Sequence, residues 1–378
     1  MTEACCRLCR RALFEAPLLR YTNMPRVAQF LPDASSVQSD RGMDLTIRQC
    51  SGCGLVQLTD DPVSYYKDVI RASGLSPEMR AFRDEQFRGF LERFSLAGKK
   101  VVEIGCGRGE YLSVLKAAGA DAIGLEHSEA SVAACRAAGL NVSQGFVGSA
   151  EEQIAGAPFD AFLILNFLEH HPDPNTTLRG IHGQLRDGGM GLVEVPNFDM
   201  MLHERQFAEF MSDHLSYFTK DTLTTALSIN GFEMVSCTEE FHRYILSAVV
   251  RKRRILNVSD FDAQQARRRD EVHAYVRRFA PKSVAIWGAG HQALALMSLL
   301  DLGDKIRYVV DSAPFKQGRF TPATHLPIVA PSALATDPVE AVIVIAAGYS
   351  DEVARIIRST CSPHLDVSIW RESGLEPA

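Results

Sequence analysis

The run Val101-Val102-Glu103-Ile104-Gly105-Cys106-Gly107-Arg108-Gly109-Glu110-Tyr111-Leu112 sets the tightest limit on what this chain can fold into. Its first residues read as a short buried strand and its alternating glycines as a tight turn. Leu112 and Leu115 then open a helix. The following strand, Ala122-Ile123-Gly124-Leu125, ends in Glu126, about twenty residues after the first glycine. An acid at that place can accept hydrogen bonds from both hydroxyls of a ribose. The expectation is an α/β sheet that holds a nucleoside-bearing cofactor.

The choice of cofactor rests on spacing. Glu-x-Gly-x-Gly-x-Gly departs from the dinucleotide pattern Gly-x-Gly-x-x-Gly and resembles motif I of class I methyltransferases. On this reading Glu103, Gly105, Gly107, Gly109, Glu126 and Asn166 bind S-adenosylmethionine (SAM), with Glu103 helping to orient its ammonium end. Phe159–Leu165 reads as the fourth strand, with Asn166 at its carboxyl end, and Gly188–Pro196 as the fifth. Glu233–Cys237 and Ile245–Val250 fit the reversed hairpin that closes a seven-strand Rossmann-like sheet. The acid that often meets the adenine after strand three is missing. Gln144-Gly145-Phe146-Val147 stands there, and Phe146 could lie against the adenine ring.

Five of the nine cysteines fall in the first 53 residues and include two C-x-x-C pairs, Cys6/Cys9 and Cys50/Cys53. Two such pairs supply four thiolates suited to a closed structural zinc site, which leaves no open position for catalysis. Cys5 could replace Cys6, and buried free thiols are the alternative. Leu45–Gln49 alternates apolar and polar residues and should enter the second pair as a strand.

The net charge of −6 argues against a nucleic-acid binder with a basic surface. No apolar run reaches the roughly 18–20 residues needed to span a bilayer, and Met1-Thr2-Glu3-Ala4 opens no signal sequence, so a cytoplasmic protein is expected. Arg251–Arg254 and Arg267–Arg269 read as solvated charge, with an RNA or diphosphate contact as the alternative, and 260–279 reads as an amphipathic linker helix whose Val272, Tyr275, Val276 and Phe279 face protein.

Further on, Asn166-Phe167-Leu168-Glu169-His170, Val193-Glu194-Val195-Pro196 and Asp213-His214-Leu215-Ser216-Tyr217-Phe218-Thr219 occur in that order. Asp311-Ser312-Ala313-Pro314-Phe315-Lys316-Gln317-Gly318 and His325-Leu326-Pro327-Ile328-Val329 follow. With Cys50-Ser51-Gly52-Cys53-Gly54-Leu55-Val56, these segments resemble the zinc-containing, three-domain sugar C-methyltransferases that act on nucleotide-linked deoxysugars. The resemblance covers nearly the whole chain. It implies a zinc-binding domain over 1–72, a SAM-binding domain over 73–250, a linker helix over 251–280 and a second Rossmann-like domain over 281–378. This chain departs from the family's Tyr-His-Glu-His segment, having Met211-Ser212-Asp213-His214.

Methylating carbon demands a carbanion equivalent. A base that removes the proton beside a ketone gives an enolate, which then attacks the sulfonium methyl. His214 is the candidate base. His170 or Asn166 could stabilise the enolate oxygen, and Asp213, in a strand, would point away from His214. His171, followed by proline, reads as a loop residue. The acceptor is expected to be a small molecule, a nucleotide-linked sugar. Methylation of oxygen, nitrogen or another activated carbon is the alternative, and a non-catalytic zinc- and nucleotide-binding module is the alternative of another class. Trp287-Gly288-Ala289-Gly290-His291-Gln292-Ala293 with Asp311 fits a dinucleotide fingerprint, but the resemblance implies a domain that helps to hold substrate without a dinucleotide of its own.

Overall fold

A computed structural model describes residues 5–27, 29–67, 75–149 and 151–378. The domain boundary expected at 72/73 lies outside the described residues. The chain forms two compact units, Met1–Arg254 and Ile255–Ala378.

The strands of the first unit are β1 (Leu19–Met24), β2 (Met43–Gln49), β3 (Val56–Leu58), β4 (Lys100–Ile104), β5 (Asp121–Glu126) and β6 (Asn141–Gln144). They continue with β7 (Phe159–Leu165), β8 (Leu185–Pro196), β9 (Ser216–Tyr217), β10 (Phe232–Glu240) and β11 (Ile245–Lys252). Its helices are α1 (Pro77–Arg93), α2 (Glu110–Ala117), α3 (Glu129–Ala137), α4 (Pro174–Gly183), α5 (Phe198–Glu204) and α6 (Lys220–Ile229).

Seven strands make the main sheet in the order β10-β11-β8-β7-β4-β5-β6. β11 alone runs against its neighbours, in the reversed hairpin expected from sequence. The central strands are mainly apolar on both sides because helices cover both faces. On β7, Phe162 and Ile164 enter one core, while Ala161, Leu163 and Leu165 enter the other. Helix α1 starts where Ser76 accepts a bond from the Met79 amide and Pro77 supplies a pre-set first turn. Its Arg83 makes a 2.5 Å ion pair with Glu194 on β8, and both side chains are wholly buried.

The first strand pair of the main sheet, β4 and β7, diverges to β5 on one side and β8 on the other. That makes the crevice beyond their carboxyl ends the place for a ligand. A second sheet, β1-β2-β3-β9, carries the cysteine pairs at one end. β9, which follows His214 closely, adds to it through Val56–Tyr217 and Gln57–Ser216.

The second unit begins with α7 (Ser259–Val276), on which Val272 and Tyr275 are buried and Arg268 pairs with Glu271 at 2.7 Å. There follow β12 (Val284–Trp287), α8 (His291–Leu299), β13 (Val309–Val310), β14 (Ile328–Val329), α9 (Ala333–Thr336), β15 (Ala341–Val344), α10 (Ser350–Thr360), β16 (Asp366–Arg371) and β17 (Gly374–Pro377). They form a Rossmann-like sheet in the order β14-β13-β12-β15-β16-β17. Asp311 accepts the amides of Ala289 and Ala313 and the Lys316 ammonium, each at 2.9 Å.

Among the described residues no helix is long and apolar enough to cross a membrane.

Candidate active site

The glycine turn after β4 is built for close approach. Gly105, Gly107 and Gly109 all have positive φ, and a Cβ on Gly105 would stand 2.7 Å from the Phe167 ring. Glu126, at the end of β5, clasps this turn. One carboxylate oxygen accepts the Gly107 amide at 2.9 Å and the other the Ser128 amide at 2.8 Å. Glu103 is buried inside β4. Asn166, just past β7, adopts φ 49°, and its buried Oδ1 has no hydrogen-bond partner among the described residues. The structure therefore brings Gly105 and Glu126 to one crevice, with Gly107 and Gly109 in the same turn.

That crevice is lined by Gly105, Glu126, His127, Phe146, Phe167 and His171, among others. His171 is not the loop residue expected from sequence. It is buried, Nδ1 lies 2.7 Å from the Thr177 hydroxyl, and its ring lies parallel to Phe146 and edge-on to Phe167. Burial, with His170 adding to it, pulls its pKa down to about 3, so it stays neutral. Tyr66 closes on the same Phe146 ring edge-on.

Beside the crevice, a turn after β7 (Leu168–His170) faces the segment before β9. Asp213 and His214 sit in a turn, not in a strand, because β9 begins only at Ser216. His170 Nδ1 lies 2.7 Å from the Asp213 carbonyl, to which it donates, and the Leu215 amide donates to the Glu169 carbonyl at 2.9 Å. The rings of His170 and His214 meet edge to face, 4.7 Å between centroids. Neither ring nitrogen of His214 is engaged by another described residue. Burial, with His170 adding to it, holds the pKa of His214 well below the usual imidazole value. Burial also lowers that of His170, with Asp213 opposing. Glu169, which sequence reasoning did not assign, is buried, and burial with the nearby Asp213 raises it to about 8. The signal for it was its place between Asn166 and His170.

The four sulfurs of Cys6, Cys9, Cys50 and Cys53 form one cluster. Cys6–Cys53 and Cys9–Cys50 are separated by 3.6 and 3.4 Å. Those gaps exceed the roughly 2 Å of a disulfide and suit sulfurs shared by one ion with bonds of about 2.3 Å. Burial opposes ionisation of Cys50, but the amides of Cys53 and Gly52 bring it down to about 7. Cys5 is exposed and outside the cluster.

The sheet order, the glycine turn and the acid clasping it define a SAM-dependent methyltransferase of class I architecture. Comparison with known proteins agrees. Residues 79–237 match the family described as methyltransferase domain, and residues 251–362 that described as C-methyltransferase C-terminal domain. The chain is 24% identical to the C-methyltransferase NovU of Streptomyces niveus over 92% of its own length and 90% of that protein. Its two matched domains and this similarity over nearly the whole chain agree with a SAM-dependent methyltransferase. It is also 35% identical to a ubiquinone biosynthesis O-methyltransferase of Pseudomonas aeruginosa, over 28% of this chain and 48% of that protein. Among solved structures, the magnesium protoporphyrin IX methyltransferase of Synechocystis, with bound SAH, aligns at 14% identity and a TM-score of 0.38, covering 50% of this chain and 91% of that one.

Proposed function

We propose that the protein methylates a carbon beside the carbonyl of a nucleotide-linked keto-deoxysugar. His214 takes the proton from that carbon, the electron pair moves onto the carbonyl oxygen, and the resulting enolate attacks the methyl of SAM. The methyl is transferred and S-adenosylhomocysteine leaves. Asn166 stands past the carboxyl end of β7 as the candidate donor to the enolate oxygen, whereas His170, expected from sequence as the other, has given its one hydrogen to the Asp213 carbonyl. Asp213 acts through its backbone, holding the His170 ring. Glu103, Glu126, Asn166 and the glycines of the turn hold the cofactor, and Cys6, Cys9, Cys50 and Cys53 hold a structural zinc in an amino-terminal domain.

The observation that carries this reading is His214: a ring whose nitrogens remain open, packed against His170, which in turn meets the crevice-lining Phe167. A second reading, another acceptor atom, is favoured by the Met211-Ser212 replacement. It removes the family's tyrosine, and the Tyr217 hydroxyl cannot take its place, being bound to the backbone of Met211 at 3.0 and 3.4 Å. Incubation in deuterated water without SAM separates the two. Exchange of the hydrogen beside the ketone supports carbon methylation, and an active enzyme without exchange favours the second reading.

A further inference from the structure

The turn after β7 and the segment before β9 gather three ligand-type side chains that the proposed chemistry uses only in part. Glu169, His170 and His214 each offer a ligand atom, all within 4.8 Å of one another. Because His170 gives its Nδ1 hydrogen to the Asp213 carbonyl, its Nε2 carries a lone pair. That lone pair faces Glu169 Oε1 at 3.9 Å. At that distance no hydrogen bond joins the two buried groups. Glu169 is 1% exposed, and its Oε2 has no hydrogen-bond partner among the described residues. Groups so placed are stabilised by a cation between them.

We propose that Glu169, His170 and His214 bind a divalent transition-metal ion, which blocks the enzyme by occupying the lone pair of His214. The blocking half rests on His214 being the base; the binding half does not. Two imidazoles and a carboxylate are the donor set for zinc, cobalt or nickel, and three protein ligands leave a position open. Bonds of about 2.0–2.2 Å require the three ligand atoms to close in by about 1 Å. A backbone carbonyl holding the far nitrogen of a histidine is the usual outer support of such a ligand. The bond from the Leu215 amide to the Glu169 carbonyl fixes the two segments together. His214 is the partly exposed member, through which an ion can enter.

The test is a cobalt(II) titration of the full-length protein with its cysteine site loaded with zinc. The expected result is a visible absorption band that saturates with added cobalt and carries no thiolate charge-transfer absorption. Methyl transfer should fall in parallel and return on chelation. Glu169→Gln and His170→Ala should each weaken binding by more than about 10-fold. No band in the wild-type protein, or only the thiolate signature of exchange into the cysteines, overturns the site whether or not either variant folds. An undiminished band in both variants does the same. Saturation with full methyl transfer overturns the blocking role and the base reading of His214 together, while absence of binding leaves that reading intact.

Discussion

The ring of Phe146 lies parallel to the imidazole of His171, 5.2 Å between centroids and 10° between planes. One follows β6 and the other follows β7, so the stack ties together two walls of the cofactor crevice. Neutral His171, held by Thr177, gives Phe146 a fixed backing. Phe146→Ala should raise the dissociation constant for SAM about 10-fold, or about 1.4 kcal/mol, by removing one aromatic contact and its burial. Calorimetry checks this, and turnover at saturating SAM should change far less.

Loss of the proposed zinc from the cysteine cluster should reach the active site. Leu55 and Val56 follow Cys53 after Gly54 alone, and Val56 pairs with Tyr217, three residues beyond His214. A strong chelator, or Cys50→Ser, should remove one equivalent of zinc by elemental analysis, lower the melting temperature and reduce activity. Full zinc loss with an unchanged melting temperature contradicts this coupling.

Arg83 and Glu194 form a wholly buried pair, joined by Gln86 at 2.6 Å from Glu194 and by Ser247 at 2.9 Å. Arg83→Met leaves the carboxylate buried without its cation and should cost about 3–5 kcal/mol in urea unfolding. Pairing it with Glu194→Gln should recover part of that loss.

In the second unit, burial works against the charge of Asp311, but Lys316 and the amides of Ala313 and Ala289 outweigh it and hold the carboxyl below its usual value. Its stabilisation is therefore present above the unfolded value near 4 and is lost as pH falls through the folded value. Asp311→Asn should lower stability at pH 7 and flatten the acid limb below about pH 4, as followed by Trp287 and Trp370 fluorescence, both tryptophans lying in that unit.

The parts of this molecule that follow from neighbouring residues were readable in the sequence. The glycine turn, Glu126 and the reversed hairpin each carry their signal within about twenty residues, because apolar runs and positive-φ glycines are local requirements. His171 was misread because proline after it suggested an open loop, whereas its burial comes from Phe146, 25 positions earlier in the chain. Glu169 went unassigned for the same reason: the segment that covers it begins more than 40 residues later. Asp213 was expected in a strand because the apolar pattern of 215–218 does not mark where pairing with β3 begins.

The most direct test of the account gives the purified protein methyl-labelled SAM and a panel of nucleotide-linked keto-deoxysugars, with His214→Ala alongside. The account predicts a label bonded to carbon beside the carbonyl, with turnover lower by orders of magnitude in the variant while its SAM binding persists. A label on oxygen or nitrogen, or near wild-type turnover by His214→Ala, would contradict it.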